Sequence, residues 1–336
     1  MIHIIGGGIA GFALAEALDA RGRAWALYER SHKPGPEASG KNAGIIRTYE
    51  ADPVFAELAT ESLRYYQDNE PSFQKTGILL RPWEVDYGPM NFERRSFTHG
   101  RFSGYFLPEN GTVLPGKTLA RIAETSHKHG KIFFSCEARI NPDASNAKLI
   151  LPDREILLAK DEQVVIAAGE GSAIFSDALT AGLGLIPHRR TLYEYHNASA
   201  YAGPVEWDEE SGCYFRALGD EIVATAGEQI PVPVNLARQQ QDVKSDEDIR
   251  KLAEQTPLLA VQNLKGYRTC FRTMPLDNRP FCGADTVFPG VYWLTGLGGR
   301  GMSIGPALAQ AMAALICGEQ PKSDLAPFSP ARVKSA

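Results

Sequence analysis

The stretch "IHIIGGGIAGFALAEALDARGRAWALYE", residues 2–29, decides the fold of this chain. Residues 2–5 form a short apolar run typical of a buried strand, and apolar residues recur at helical spacing over 12–18. A second apolar run, 24–28, is followed by an acid. The pattern therefore predicts a strand, a glycine turn, a helix, a second strand and an acidic residue, in that order.

The glycine turn matches G-x-G-x-x-G through Gly6, Gly8 and Gly11. Glycine tolerates the unusual φ of a tight turn, and without a side chain it lets a diphosphate approach the backbone or a helix pack close to a strand. The helix N-terminus offers unpaired N–H groups to phosphates. Glu29 follows Gly11 by 18 residues, where an acid can accept ribose hydroxyls. The spacing predicts a dinucleotide site, does not separate NAD from FAD, and leaves a ligand-free glycine turn as the alternative.

Composition limits the class of protein. The 336 residues suffice for two domains, and 43% hydrophobic with 22% charged residues is ordinary for a soluble globular chain. The net charge of −5 gives no footprint for nucleic acid, and no apolar run reaches membrane-spanning length. Five scattered cysteines without a C-x-x-C pair, and no signal peptide, predict a cytoplasmic protein. The histidines show no ligand spacing, so no metal site is expected.

The rest of the chain alternates between two kinds of sequence pattern. Segments 77–116 and 181–265 are rich in turns and short strands, including a hairpin at "FRALGDEIVATA", residues 215–226. We predict that they form an antiparallel-sheet α+β substrate domain. It would be inserted into a discontinuous, Rossmann-like α/β cofactor domain built from 1–76, 117–180 and 266–336. The last helix is predicted over 306–317, with Pro306 in its first turn.

Four further motifs follow the N-terminal one in a fixed order. They are "EASGKNAG" at 37–44, "VVIAAGEGS" at 164–172, "CFRTMPLDNRPFCG" at 270–283 and "LTGLGGRGMSIGPALAQAMAALICG" at 294–318. Together with residues 2–30, they resemble the D-amino-acid oxidase-type family of FAD-dependent oxidoreductases, which includes glycine oxidase and sarcosine oxidase. The resemblance covers nearly the whole chain and favours FAD as the cofactor.

The resemblance also implies which residues contact FAD. They lie in the N-terminal turn, the 39–44 loop, the strands near 138, 168 and 270, and the C-terminal glycine turn. The implied set is Gly6, Gly8, Ile9, Ala10, Gly11, Glu29, Arg30, Ser39, Gly40, Asn42, Ala43, Gly44, Ala138, Ala168, Gly169, Cys270, Gly296, Gly298, Gly299, Arg300, Gly301 and Met302.

Three arginines are the predicted catalytic groups. Arg272 corresponds to the family's substrate-carboxylate arginine, and a guanidinium fork holds a carboxylate through two parallel hydrogen bonds. The motif departs from R-P-x-T-P-D, since "RTMPLD" lacks the first proline, and a structural ion pair is the alternative. Arg47 follows the flavin loop, and Arg300 lies inside the closing turn, where it would act on flavin or substrate charge. A surface role for Arg47 and a loop-capping role for Arg300 stay open.

Cys270 has two interpretations. Sarcosine oxidase-like enzymes place the cysteine that bonds covalently to flavin here, whereas glycine oxidase-like relatives bind FAD noncovalently. A small buried thiol is the alternative to covalent attachment.

The implied reaction is oxidation of a C–N bond in a small amine or amino acid. Hydride passes to flavin N5, the imine hydrolyses, and oxygen is the expected electron acceptor, giving H2O2. Within the family, "ASGKNAG" and "GLGGRGM" are most similar to the oxidase half of bifunctional tRNA wobble-uridine modification enzymes. The alternative function is therefore oxidation of a carboxymethylaminomethyl-type side chain on tRNA, which the acidic charge disfavours without excluding. A non-catalytic flavin-binding scaffold is the third hypothesis.

Overall fold

The fold is that of a computed structural model, which describes residues 1–81, 93–96, 103–125, 128–141, 148–179, 181–239 and 241–335. Residues 82–92 and 97–102 of the predicted substrate segment lie outside the described residues. The strands are β1 Ile2–Ile5, β2 Trp25–Tyr28, β3 Ile45–Ile46, β4 Ile78–Arg81, β5 Glu93–Ser96, β6 Ser103–Leu107, β7 Gly111–Thr112, β8 Gly130–Phe133, β9 Arg139–Asn141, β10 Lys148–Ile150, β11 Glu155–Leu157, β12 Gln163–Ile166, β13 Leu185–His196, β14 Val205–Asp208, β15 Tyr214–Leu218, β16 Glu221–Thr225, β17 Ile230–Pro231, β18 Leu264–Pro275, β19 Phe281–Ala284 and β20 Val291–Thr295.

The helices lie between these strands. The α-helices are α1 Ile9–Asp19, α2 Pro53–Asn69, α3 Pro115–Thr125, α4 Ser172–Ala178, α5 Val234–Gln239, α6 Asp246–Gln255 and α7 Gly301–Ile316. Short 3-10 helices cover Gly169–Gly171, Pro257–Leu259, Val261–Asn263, Ala326–Phe328 and Pro330–Ser335. Over the described ranges, no helix combines the length and apolarity that a bilayer crossing requires.

A mostly parallel sheet, here called the parallel sheet, contains the N-terminal motif. Its strands, within the described ranges, run in the order β19-β20-β12-β1-β2-β8, and only the β19–β20 pair is antiparallel. All residues of β1 and β2 are buried, as expected for parallel strands covered on both faces. Helix α7 packs on α1 so closely that a Cβ at Gly301 would lie 3.3 Å from Ile9 Cγ2. The predicted α/β, Rossmann-like fold is confirmed.

A second sheet, the large sheet, stands beside it. Its described strands run β17-β13-β16-β15-β14-β4-β6-β5, and β18 pairs with β13 along nearly its whole length. The predicted hairpin forms β15 and β16. The sheet is antiparallel apart from the pairing of β4 with β14, two strands that come from distant segments. Strand β18 continues this sheet past the predicted boundary at residue 265, and the division into two domains stays a proposal.

The last helix begins earlier than the sequence indicates. It starts at Gly301, so Pro306 lies within the helix rather than in its first turn. Proline removes one helical hydrogen bond and disturbs the preceding turn. The next N–H group, that of Ala307, donates to Ser62 Oγ of α2 at 3.2 Å. This contact between α2 and α7 lies beside the proline, and no local sequence pattern reveals it.

Candidate active site

A cavity of about 420 Å³ opens where the parallel strands end. The segments after β1, β2, β12 and β20 all line it, and β18 of the large sheet closes another side. Ligands of open α/β sheets bind at this carboxyl edge, because loops and helix N-termini converge there. The cavity therefore coincides with the site that the motifs predict.

The N-terminal turn has the geometry of a phosphate-binding loop. Gly6 adopts φ +111°, and a Cβ at Gly11 would lie 2.0 Å from the Gly6 carbonyl oxygen, so both positions require glycine. The Ile9 N–H donates to Ser39 Oγ at 3.0 Å. The N–H group of Ala10, which belongs to the cavity wall, has no partner among the described residues and is left for an anion.

Glu29 is fixed at the end of β2 by two backbone donors. Its Oε2 accepts from Gly7 N–H and its Oε1 from Ser31 N–H, each at 2.7 Å. Each carboxylate oxygen keeps a further lone pair that a ribose hydroxyl can use. Together, the turn, the open helix N-terminus and this carboxylate fit the adenosine diphosphate part of FAD.

A charged group missed by the sequence analysis lies beside Arg30. Arg30 Nη2 pairs with Glu170 Oε1 at 2.6 Å and with Glu37 Oε1 at 3.4 Å, and all three residues line the cavity. Burial raises the pKa of Glu37 to about 7, with further raising by the Glu170 charge and opposition from Arg30. Glu170 directly follows the "AAG" motif, and this adjacency is the signal that could have found it.

The loop 39–44 contacts both the N-terminal turn, through Ser39, and the large sheet, through the carbonyl groups of Lys41 and Ala43. Asn42 lines the cavity, and its Oδ1 accepts from the Gly44 N–H at 2.7 Å. Gly44 allows close packing, because a Cβ there would lie 2.1 Å from the Val113 carbonyl oxygen. The loop is thus a tight turn with its asparagine in the wall.

Arg272 lies on β18 against the C-terminal glycine turn. A Cβ at Gly299 would approach Arg272 Cζ to 2.9 Å, and the turn itself uses positive φ at Gly296, Gly298 and Gly299. No described residue forms a hydrogen bond or ion pair with the Arg272 guanidinium. Arg190, buried on the neighbouring strand, interacts repulsively with it. A guanidinium in a cavity wall without a carboxylate is available to an anionic ligand.

Cys270 lines the cavity two residues before Arg272 and is 5% exposed. Burial raises the pKa of its thiol, and the charges of Arg272, Arg190, Lys41 and Arg268 oppose that shift.

Arg47 and Arg300 both lie beside Glu50. Their guanidinium groups both pair with Glu50, at 3.4 Å from Arg47 Nη2 and 3.1 Å from Arg300 Nε. Arg47 also pairs with Glu209 and covers the Trp207 ring at 4.4 Å. Neither belongs to the cavity wall. The reason is Glu50, whose side chain is only 6% exposed and whose buried charge requires cationic partners.

The structure brings most of the predicted cofactor residues to one cavity. Those in its wall are Gly6, Gly8, Ile9, Ala10, Glu29, Arg30, Ser39, Asn42, Ala138, Ala168, Gly169, Cys270, Gly296, Gly298, Gly299, Gly301 and Met302. Those outside the wall are Gly11, Gly40, Ala43, Gly44 and Arg300. Among the described residues, no cluster of His, Cys, Asp and Glu could hold a metal ion.

Comparisons with known proteins agree with this geometry. The family model described as FAD dependent oxidoreductase matches residues 1–315. A tRNA 5-methylaminomethyl-2-thiouridine biosynthesis bifunctional protein from Caulobacter sp. strain K31 is 26% identical over 94% of this chain and 54% of its own length. The chain thus spans about half the length of the curated relatives it matches.

Solved structures share the fold. L-proline dehydrogenase from P. horikoshii superposes with a TM-score of 0.86 at 16% identity, covering 99% of this chain and 97% of its own. Glycine oxidase from Geobacillus kaustophilus gives a TM-score of 0.82 at 17% identity, with 98% and 97% covered. The chain belongs to the FAD dependent oxidoreductase family of the D-amino-acid oxidase type, and its cofactor is FAD.

Proposed function

We propose that this enzyme oxidises a C–N bond of a small amine or amino acid that carries a carboxylate. The observation that carries the proposal is the Arg272 guanidinium, which lies in the cavity wall without a partner among the described residues. A substrate carboxylate would accept hydrogen bonds from this guanidinium. It would also offset the repulsion between the positive charges of Arg272 and buried Arg190.

The chain's own contribution is positioning and electrostatics. Arg272 would bind the carboxylate and so fix the carbon that bears the amine. The N-terminus of α7, whose first residues line the cavity at Gly301 and Met302, directs partial positive charge into the site. FAD, when bound, supplies the two-electron acceptor. No histidine belongs to the described cavity wall, which agrees with a reaction that needs no strong general base.

Anaerobic flavin reduction tests the proposal. The holoenzyme is mixed with matched pairs of amines: glycine and methylamine, sarcosine and dimethylamine, proline and pyrrolidine. We expect flavin absorbance to bleach with at least one carboxylated member and far more slowly with its partner. Bleaching by neither class overturns the proposal and leaves the flavin-binding scaffold and the tRNA substrate as candidates. Equal bleaching by both classes removes the carboxylate requirement. Readmitted oxygen then tests O2 as acceptor through H2O2 formation.

A second candidate is oxidation of a carboxymethylaminomethyl-type side chain on tRNA. The similarity to the bifunctional tRNA-modifying relative over 94% of this chain favours it, whereas the net charge of −5 disfavours RNA binding. Both candidates use Arg272 for a carboxylate. Reduction of the flavin by modified tRNA but by none of the small amines, with affinity that falls steeply as salt rises, would select the tRNA substrate.

A further inference from the structure

Two arginines of the large sheet hold the backbone of the 41–43 loop. Arg268 Nε on β18 donates to the Lys41 carbonyl oxygen at 3.0 Å. Arg216 Nε on β15 donates to the Ala43 carbonyl oxygen at 2.7 Å. Both bonds join the large sheet to a loop of the cofactor site through main-chain atoms. They therefore fix the path of the loop, whatever its side chains are.

Stability does not explain the burial of Arg216. Arg216 is 2% exposed, and its Nη1 has no hydrogen-bond partner among the described residues. Its nearest carboxylate oxygen, Glu221 Oε2, is 3.5 Å away on a partly exposed side chain. Burial lowers the pKa of Arg216, which reflects the cost of its desolvated charge. Replacing such a group by an apolar side chain of similar size is often neutral or stabilising for a fold.

Arg268 is less buried than Arg216, with a side chain that is 21% exposed. It pairs with Glu194, and burial lowers its pKa. It precedes Cys270 and Arg272 at alternate positions of β18, and alternate residues of a strand share one face. Cys270 and Arg272 belong to the cavity wall, and Arg268 lies on the same face of β18 as these two residues.

The residue between the two held carbonyls faces the cavity. Asn42 belongs to the wall, and its backbone N–H has no partner among the described residues. A guanidinium on the Lys41 carbonyl polarises the Lys41–Asn42 peptide, which strengthens the Asn42 N–H as a donor. The guanidinium on the Ala43 carbonyl fixes the other side of the same turn. The arrangement holds a donor ready where the flavin loop meets its ligand.

We propose that Arg216 and Arg268 are positioning residues for FAD, which hold the 41–43 loop in its flavin-binding conformation from the large sheet. The inference deepens the proposed function and rests on FAD occupying this cavity. Neither arginine touches the substrate in this assignment, so both act through the loop.

The test compares Arg216→Met, Arg268→Met and the double variant with Arg250→Met, a control at an exposed arginine of α6. Apoprotein is titrated with FAD by fluorescence, the bound flavin's reduction potential is measured, and apoprotein unfolding is followed separately. Since a charged hydrogen bond contributes about tenfold or more in affinity, each variant is expected to bind FAD about tenfold more weakly. The potential should become more negative, and the Arg216→Met apoprotein should unfold at the wild-type temperature or above.

The proposal is overturned if both single variants keep the wild-type FAD affinity and the wild-type flavin reduction potential. It is also overturned if FAD binding weakens only in proportion to a loss of apoprotein stability. Arg216→Lys keeps one donor within reach of the loop, and intermediate FAD affinity is expected. If the Met variants fail to fold, the Arg216→Lys variant decides. A wild-type FAD affinity in that variant would then overturn the proposal. These measurements need no amine substrate. Failure of every amine to reduce wild-type flavin therefore rejects the proposed function while leaving this test intact.

Discussion

Arg272 and Gly299 are in direct contact across the boundary between β18 and the C-terminal glycine turn. A Cβ added at Gly299 would lie 2.9 Å from Arg272 Cζ and from Arg272 Nε. The glycine turn is therefore shaped around the guanidinium that we assign to the substrate carboxylate. The contact joins two motifs of the sequence at one point of the site.

Gly299→Ala should impair substrate binding through this contact. The new Cβ would displace the guanidinium, and φ +89° at this position strains any L side chain. We expect KM for a carboxylated amine to rise about tenfold, since a misplaced ionic hydrogen bond forfeits about 1.5 kcal/mol or more. Gly22→Ala is the matched control, because Gly22 also has positive φ and an added Cβ there meets no atom within 4 Å. Equal KM effects in the two variants would refute a role for the contact.

Arg272→Met should separate substrate binding from cofactor binding. It removes the guanidinium fork, so KM for carboxylated substrates should rise by about 10- to 100-fold. FAD content should stay at the wild-type level. The measurement is steady-state kinetics together with the flavin-to-protein absorbance ratio. An unchanged KM would remove Arg272 from the carboxylate role, and loss of FAD would reassign it to the cofactor.

Glu37→Gln should change the pH dependence of stability. Burial raises the pKa of Glu37 to about 7 from an ordinary 4.5, so the folded state favours the neutral carboxyl. Its contribution to stability is complete below about pH 4.5 and is lost as pH rises through about 7. The glutamine is neutral at every pH. The free energy of unfolding of the variant should therefore rise relative to that of wild type by about 2 kcal/mol between pH 5 and pH 8.

The comparison uses urea unfolding of the apoproteins at both pH values. Glu57→Gln, at an exposed position of α2, is the control and should show no such gain. A constant difference between Glu37→Gln and wild type across this range would contradict the assignment of the neutral form.

Much of the fold and of the site could be predicted from the sequence, because interactions between residues close in sequence determine these parts. The glycine turn, α1 and β2 follow from short-range spacing, and the motif order brings distant segments such as Gly299 and Arg272 to one cofactor. Contacts between elements could not be predicted in the same way. Arg47 and Arg300 pair with Glu50 rather than line the cavity, and only the three-dimensional position of Glu50 explains it.

The start of α7 shows the same limit. Proline is favoured in a first helical turn, and this preference places the helix start near Pro306. The helix begins at Gly301 instead, and Ala307, directly after the proline, donates to Ser62 of α2. Arg268, by contrast, was within reach of sequence reasoning, because it alternates with Cys270 and Arg272 along one strand.

FAD should be bound without a covalent bond to Cys270. Covalent attachment requires thiolate character, whereas burial raises the pKa of this thiol despite nearby arginines. Acid precipitation of the holoenzyme should therefore release FAD into the supernatant, and Cys270→Ala should retain FAD to the wild-type extent. A yellow pellet from wild type that becomes colourless in Cys270→Ala would establish the covalent bond instead.

Arg121 should be essential for packing α1, α2 and α3 together. Its Nη1 pairs with Glu16 Oε1 and its Nε with Glu70 Oε2, each at 3.0 Å, and the Glu70 side chain is only 2% exposed. Burial would raise the pKa of Glu70, but hydrogen bonds from Ser72 and Arg121 outweigh it and lower that pKa. Arg121→Met leaves the buried carboxylate without its cation, so the free energy of unfolding should fall by about 3 kcal/mol in urea at pH 7. Arg250→Met, the control, breaks only an exposed pair with Glu254 and should lower the free energy of unfolding by less than about 0.5 kcal/mol. Similar losses of stability in both variants would show that the Arg121 pairs are no stronger than surface pairs.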